Sequence, residues 1–240
     1  LKSSDFFTPI ITTEGFCFTA NLMNFQDLFM DGVQFEAFER LKNPKIPDSK
    51  WLLQEGYGDS IKVLEFPHRV SGSGENGGIK FEIWRQIAEV KISSSYNKGF
   101  KLALHLPSEI PQFDRQYYRF PLEKSATLII RPTMIVSEGL EGYSIQHRKC
   151  YFENERKLKY FKKYTRSNCM IECLADFMRK TCNCIHFSMP RLEGDKMCDS
   201  LKTNCIENAR KNFSLENMRM SLETSKSYDD QGEISCNCLL

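Results

Sequence analysis

Asn168-Cys169-Met170-Ile171-Glu172-Cys173, followed by Cys182-Asn183-Cys184, Cys198, Cys205 and Cys236-Asn237-Cys238, holds eight of the ten cysteines of the chain. The spacing decides how this part folds. Thiols four apart lie on one face of a helix, and thiols two apart lie on one face of a strand. A helix carrying Cys169 and Cys173 can therefore meet an extended segment carrying Cys236 and Cys238 and close two parallel rungs. Counting alone cannot choose a pairing, because ten cysteines permit very many. Helical and strand geometry plus antiparallel packing favour a nested scheme: Cys169–Cys238, Cys173–Cys236, Cys182–Cys205 and Cys184–Cys198. The innermost bridge closes a loop of about 15 residues, for which the chain-entropy model gives about 3 kcal/mol. The outer contributions do not simply add, since each inner bridge shortens the loop its neighbour constrains.

Zinc is the rival for these thiols. Structural zinc sites space paired cysteines by two to four residues. Here Cys182 and Cys184, and again Cys236 and Cys238, are separated by one residue. Eight thiols would also need two metals. The expectation is disulfides, with no metal and no cofactor. Cys17 and Cys150 are left over, and either pair with each other or with cysteines outside these residues.

The 240 residues suffice for one large domain or two modest ones. A formal charge of +2 is too near balance to point to nucleic acid or to a polybasic membrane tail. Clustered cysteines at this density are ordinary outside the cell and unusual in the cytosol. No apolar run approaches the roughly 20 residues that span a bilayer. Leu1 is not an initiator Met, and Cys236-Asn237-Cys238-Leu239-Leu240 stops inside a cysteine-rich element, so both ends read as cuts.

Before residue 145 the patterning is mainly β. Residues 11 to 22 alternate after Gly15 and read as a strand. Residues 24 to 41 have mixed spacing that admits a short helix around 34 to 41, ended by Pro44 and Pro47. Ser71 to Gly78 reads as a flexible loop. Ile79 to Glu89, Gly99 to Leu106 and Ser125 to Val136 read as further strands, the last bent or at an edge because of Pro132. After 145 the pattern becomes helical. Asn168 reads as an N-cap, and Met170, Cys173, Leu174, Phe177 and Met178 form one helical stripe ending at Arg179 and Lys180. Asn208 to Leu222 is a second helix. The expected fold class is α+β: a β-rich portion over 1–145 followed by a disulfide-stapled helical portion over 146–240.

These residues carry a family resemblance. Gln146 to Glu155 around Cys150, Tyr160 to Cys173, and Cys182 to Pro190 resemble the thumb of the degenerin/epithelial sodium channel family, insect pickpocket subunits above all. Gly15-Phe16-Cys17-Phe18-Thr19-Ala20-Asn21 resembles a strand motif of that family. Gly99 to Lys101, with His105, Pro107, Glu109 and Pro111, resembles one of its sheet segments. Cys236-Asn237-Cys238 resembles the start of its closing cysteine motif. The resemblance implies the extracellular region of a sodium-favouring cation channel subunit at the plasma membrane, commonly amiloride-sensitive. It implies two membrane helices flanking this region, assembly with other channel subunits as homo- or heteromeric trimers, and contact with the lipid membrane through segments outside these residues. It also implies that 1–145 belong to a palm and β-ball and 146–240 to the thumb. The nested pairing is the family's thumb pairing. Cys150 would pair with a cysteine just past Leu240, and Cys17 with one upstream of Leu1. Arg148 stands where acid-sensing relatives carry a Trp that couples thumb to pore. No acidic pairs match their proton-sensing pocket, so proton gating is not expected.

The remaining features are weaker. Arg156, Lys157, Lys159, Lys162 and Lys163 interleave with Tyr160, Phe161 and Tyr164; a solvated face with inward aromatics is favoured over a ligand patch. Asn212-Phe213-Ser214 is a glycosylation sequon. His68, His105, His147 and His186 show no metal or triad spacing, and no nucleophile elbow appears, so no catalytic residue and no enzyme are expected. A secreted, disulfide-rich binding protein without a channel is the alternative reading.

Overall fold

The computed structural model describes residues 6–35, 51, 56–57, 66–70, 72, 74, 77–83, 99–114, 116–133, 139–152, 155–223, 236 and 238–239. It is a mixture of short antiparallel ladders and two long helices. Thr8–Thr12 (β1) and Gly15–Thr19 (β2) pair from Thr8↔Thr19 to Thr12↔Gly15. The strand expected across residues 11 to 22 is thus the second half of a hairpin. Its reversal falls at Thr13 and Glu14, where Gly15 takes a φ of +98° that a side chain would strain. The Thr12 hydroxyl accepts from the Glu14 N–H at 3.2 Å and steadies the turn.

A one-turn helix, Phe25–Leu28 (α1), follows, capped by the Asn24 side chain at 2.7 Å from the Asp27 N–H. Val33–Gln34 (β3) comes next. The short helix read over 34 to 41 lies mostly outside the described residues. Phe100–Leu102 (β4) pairs with Tyr118–Phe120 (β5). Gly99 precedes β4 because a Cβ there would meet the Phe120 carbonyl oxygen at 2.1 Å. Two expected strands are corrected. Residues 79–83 and 125–133 carry no strand, while residues 84–89 and 134–136 of those readings lie outside the described residues. Alternation alone does not make a strand; its backbone needs a neighbour to bond. Ile130, on the phase that alternation assigns to the core, is 61% exposed and has no core to face.

Beyond a short helix, Ile145–Arg148 (α2), stand the two long ones, Arg166–Cys182 (α3) and Thr203–Glu223 (α4). Arg191–Leu192 (β6) lies between them and pairs with β3. The cap of α3 is Thr165, not Asn168: the Thr165 hydroxyl accepts the Asn168 N–H at 3.1 Å, one turn earlier than expected. Arg179 and Lys180 occupy its last turn, and Asn183 ends it in the left-handed region. Cys169, Ile171, Cys173, Ala175, Met178 and Cys182 are buried, while Met170, Leu174 and Phe177 are half-buried. That is more than one stripe, because α3 has α4 on one side and the N-terminal stretches on the other. Phe177 and Phe213 meet across the two helices with ring centroids 5.7 Å apart.

One apolar core joins the parts on either side of residue 145. Phe29 packs on Phe25, Phe35 and Phe161 at centroid separations of 4.8, 5.4 and 5.2 Å. The backbone follows: Met30 donates to the Tyr160 carbonyl at 2.9 Å, and Lys162 donates to the Leu28 carbonyl at 3.0 Å. No helix among the described residues is long and apolar enough to cross a membrane.

Candidate functional site

The eight clustered cysteines meet in four pairs. Cys169–Cys238, Cys173–Cys236, Cys182–Cys205 and Cys184–Cys198 have Cα separations of 5.7, 5.9, 5.9 and 5.0 Å, all within the range a disulfide spans. Two bridges tie the first turns of α3 to the segment at 236–238. A third ties the end of α3 to the start of α4. The fourth closes the loop between them, where Ile185 and Met197 also bridge. The first two rungs touch: the Cys173 and Cys238 sulfurs are 3.8 Å apart. Cys169, Cys173 and Cys238 cluster as metal ligands do. Their sulfurs stand in bridges, however, and a bridged sulfur has no thiolate to offer a metal.

Cys17 and Cys150 are free and do not pair with each other, which removes that alternative. Cys17 lies on β2, with its sulfur 3.3 Å from the Thr12 hydroxyl, and burial pushes its thiol up. Asn212 is exposed in the middle of α4, beside the buried Phe213.

The joint between the helices and the N-terminal stretches is polar where it must be. Asn168 is fully buried and donates to the Ser108 carbonyl at 2.9 Å. Its side chain thus clamps a loop that is 60 residues earlier in the chain. Glu172 accepts from the backbone N–H groups of Lys159 and Tyr160 at 2.6 and 3.0 Å. Burial nevertheless raises its carboxyl above the usual range. Arg148 is covered, with only 2% of its side chain exposed; it pairs with Glu155 and lies over the Phe152 ring at 4.1 Å. The Arg148 guanidinium and the Phe152 N–H hold the Glu155 carboxyl low.

The basic run resolves into inward aromatics and outward cations. Tyr160 and Phe161 are buried. Burial raises the Tyr164 hydroxyl to about 12, and that hydroxyl donates to the Leu239 carbonyl at 2.8 Å. Lys162 and Lys163 donate to the carbonyls of Gln26 and Trp51 at 2.7 and 2.9 Å. The histidines serve locally. Burial pushes the His105 ring down; its Nδ1 donates to the Leu106 carbonyl at 2.8 Å, and its Nε2 lies 2.7 Å from the Thr19 hydroxyl. The backbone of His68 is gripped by the Asn21 side chain at 2.7 and 2.8 Å. His147 meets Ser144, and His186 meets Ser188, both at 2.7 Å. Patterning did not reveal the clamps made by Asn168 and Glu172. Each is a single polar residue in a helix, and only its partners distinguish it from a solvated one.

The first turns of α3 are thus bridged to Cys236 and Cys238, its last residue is bridged to the start of α4, and the pair is clamped onto a mixed core. The family model described as amiloride-sensitive sodium channel matches residues 2–240, and the chain belongs to that family. It is 28% identical to pickpocket protein 28 of Drosophila melanogaster over 225 residues, which cover 88% of this chain and 36% of that relative. It is 32% identical to pickpocket protein 11 of the same species over 116 residues, 48% of this chain and 22% of that one. It is 25% identical to the human bile acid-sensitive ion channel over 130 residues, 54% of this chain and 24% of that one. The chain thus spans little more than a third of the length of these relatives at most. No solved structure matches it.

Proposed function

We propose that this chain is part of the extracellular region of a subunit of a sodium-favouring cation channel, and that it passes a ligand-induced or mechanical displacement to the pore. The observation that carries the proposal is the four-rung cysteine ladder inside a family match that covers residues 2–240. In this reading residues 1–145 belong to a palm and β-ball and residues 146–240 to the thumb. The subunits form trimers at the plasma membrane, and this region faces outward. Cys17 and Cys150 pair with cysteines outside residues 1–240, and Asn212 carries a glycan. The exposed position of Asn212 supports that last assignment.

The mechanical role follows from where stiffness lies. Bridges resist local opening of the helix pair, while its contacts with the N-terminal stretches are non-covalent. Displacement is then concentrated at the joint, and the thumb moves as a lever. The test is the full-length protein in oocytes, alone and with co-expressed relatives. The expected result is an amiloride-blocked current that falls when external sodium is replaced. Mild reduction should change gating, and non-reducing peptide mapping should recover the four pairs. Release of the full-length protein into the medium without membrane association would favour the secreted binding protein. Gating untouched by reduction of mapped bridges would end the lever idea.

A further inference from the structure

A solvent-open cavity of about 230 Å³ lies where the helix pair meets the N-terminal stretches. Its wall draws on the turn after β1, the loop at 110–114, α3, the turn at 188–189 and α4. Met170, Leu174, Met189 and Phe213 give the wall an apolar side among polar neighbours. Two residues of the wall carry buried groups without a partner among the described residues: Arg210 at Nε and Nη2, and Gln112 at Nε2. All three atoms are donors. Arg210 as a residue is half-buried, but buried donor nitrogens of a guanidinium left without an acceptor are costly, and the cost is relieved most by a negatively charged acceptor. No ion pair of Arg210 occurs among the described residues. Its charge instead reaches His186, which is held down to about 4 by burial first and by Arg210 second. Asp114 stands exposed on the rim.

The unpaired donors call for an acceptor, and the wall around them calls for apolar surface. A simple inorganic anion would satisfy only the first demand, and a cation neither. We propose that this cavity binds a small amphipathic carboxylate, its head group accepting from Arg210 and Gln112 and its alkyl body lying against Met170, Leu174 and Phe213. The planar fork of an arginine suits a carboxylate bidentately. An occupant there also ties α3 and α4 to the loop at 110–114, so it stabilises the joint by mass action.

The test uses the full-length protein in lipid nanodiscs and a medium-chain carboxylate bearing a diazirine, with photolabelled peptides mapped by mass spectrometry. The uncharged amide of the same probe is compared on unaltered protein, so the result does not hang on a variant that fails to fold. Labelling is expected on the peptides around Met170 and Phe213. It should fall about ten-fold or more with the amide probe and with Arg210→Gln, as loss of a charge-assisted hydrogen bond implies. Asp114→Asn should leave it unchanged or raise it. Equal labelling by acid and amide would overturn the proposal, because the site would then be merely apolar. Loss of labelling in Asp114→Asn would overturn it too, as would labelling confined to other peptides. None of these readouts depends on channel current, so the site and the channel reading can fail separately.

Discussion

The helix pair and the stretches before it are held by different means. Helices α3 and α4 run for 17 and 21 residues; α3 is bridged near both of its ends and α4 at its start. The ladders of the N-terminal stretches are two to five residues long, and each has only two strands. Such a ladder is marginal in water without something to pack on. Here that something is the helix pair and the segment at 158–161, through Phe29, Phe161 and the bonds around them. Large apolar side chains elsewhere in the short ladders stay exposed, Phe16 at 60% and Phe18 at 64%. The contrast teaches that the stapled part supplies the platform and the ladders borrow it.

The largest effect should come from removing both rungs at the base of α3. Replacing Cys169, Cys173, Cys236 and Cys238 by Ser removes bridges of sequence separation 69 and 63; the inner bridge shortens the freed loop to about 40 residues, and the loss is about 4 kcal/mol or more in the chain-entropy model. Removing one rung should cost only about 2 kcal/mol in that model, because its neighbour leaves a loop of about eight residues to close. Thermal melts of the full-length protein would compare the two; a double loss no larger than the sum of the two single losses would mean that the rungs do not share one loop.

Next comes the borrowed contact. Phe29→Ala should cost about 3 kcal/mol or more, and limited proteolysis should then cut the N-terminal stretches before the helix pair. Cleavage of α3 first would reverse the comparison. Asn168→Ala removes the clamp on the loop at 108 and should cost about 2 kcal/mol, since the Ser108 carbonyl is left buried without its donor. Hydrogen exchange in that loop should rise while the middle of α3 stays protected.

A pH effect sits inside the bridged part. His186 is held at about 4 against an ordinary 6.5. Between those values the unfolded chain takes a proton that the fold refuses, so acidification from pH 7 destabilises the fold until about pH 4. Glu172 works the other way, because its raised carboxyl takes a proton more readily in the fold. Melts from pH 7 to 4 should therefore be flatter for His186→Gln than for the unaltered protein; a parallel decline would assign the loss elsewhere. The smallest change is expected from Asp176→Asn. Asp176 pairs with Arg179 at 2.6 Å and Lys159 at 3.5 Å near the surface, where such pairs are worth about 1 kcal/mol or less. A larger drop in the melt would place this pair among the supports of the joint.

The helices were legible because their periodicity is local and long. The cap of α3 was misplaced by one turn, since Thr165 and Asn168 are both cap residues and only the backbone decides which one faces an N–H. The strands read at 79–89 and 125–136 failed where they are described, for a different reason. An alternating stretch becomes a strand only if another segment lies beside it, and the chain does not announce that neighbour.

Spacing by itself determined the ladder. Cysteines four apart on a helix and two apart on an extended segment leave few ways to close parallel rungs, so local geometry carries the information. The joint was decided only in the tertiary structure. Arg210, Gln112 and Asn168 look like ordinary polar residues along the chain. Folding from distant stretches gave Asn168 a carbonyl 60 residues away and left Arg210 and Gln112 with buried donors that meet no acceptor among the described residues. Satisfaction of a polar group is a property of its surroundings, and those exist only once the chain has packed.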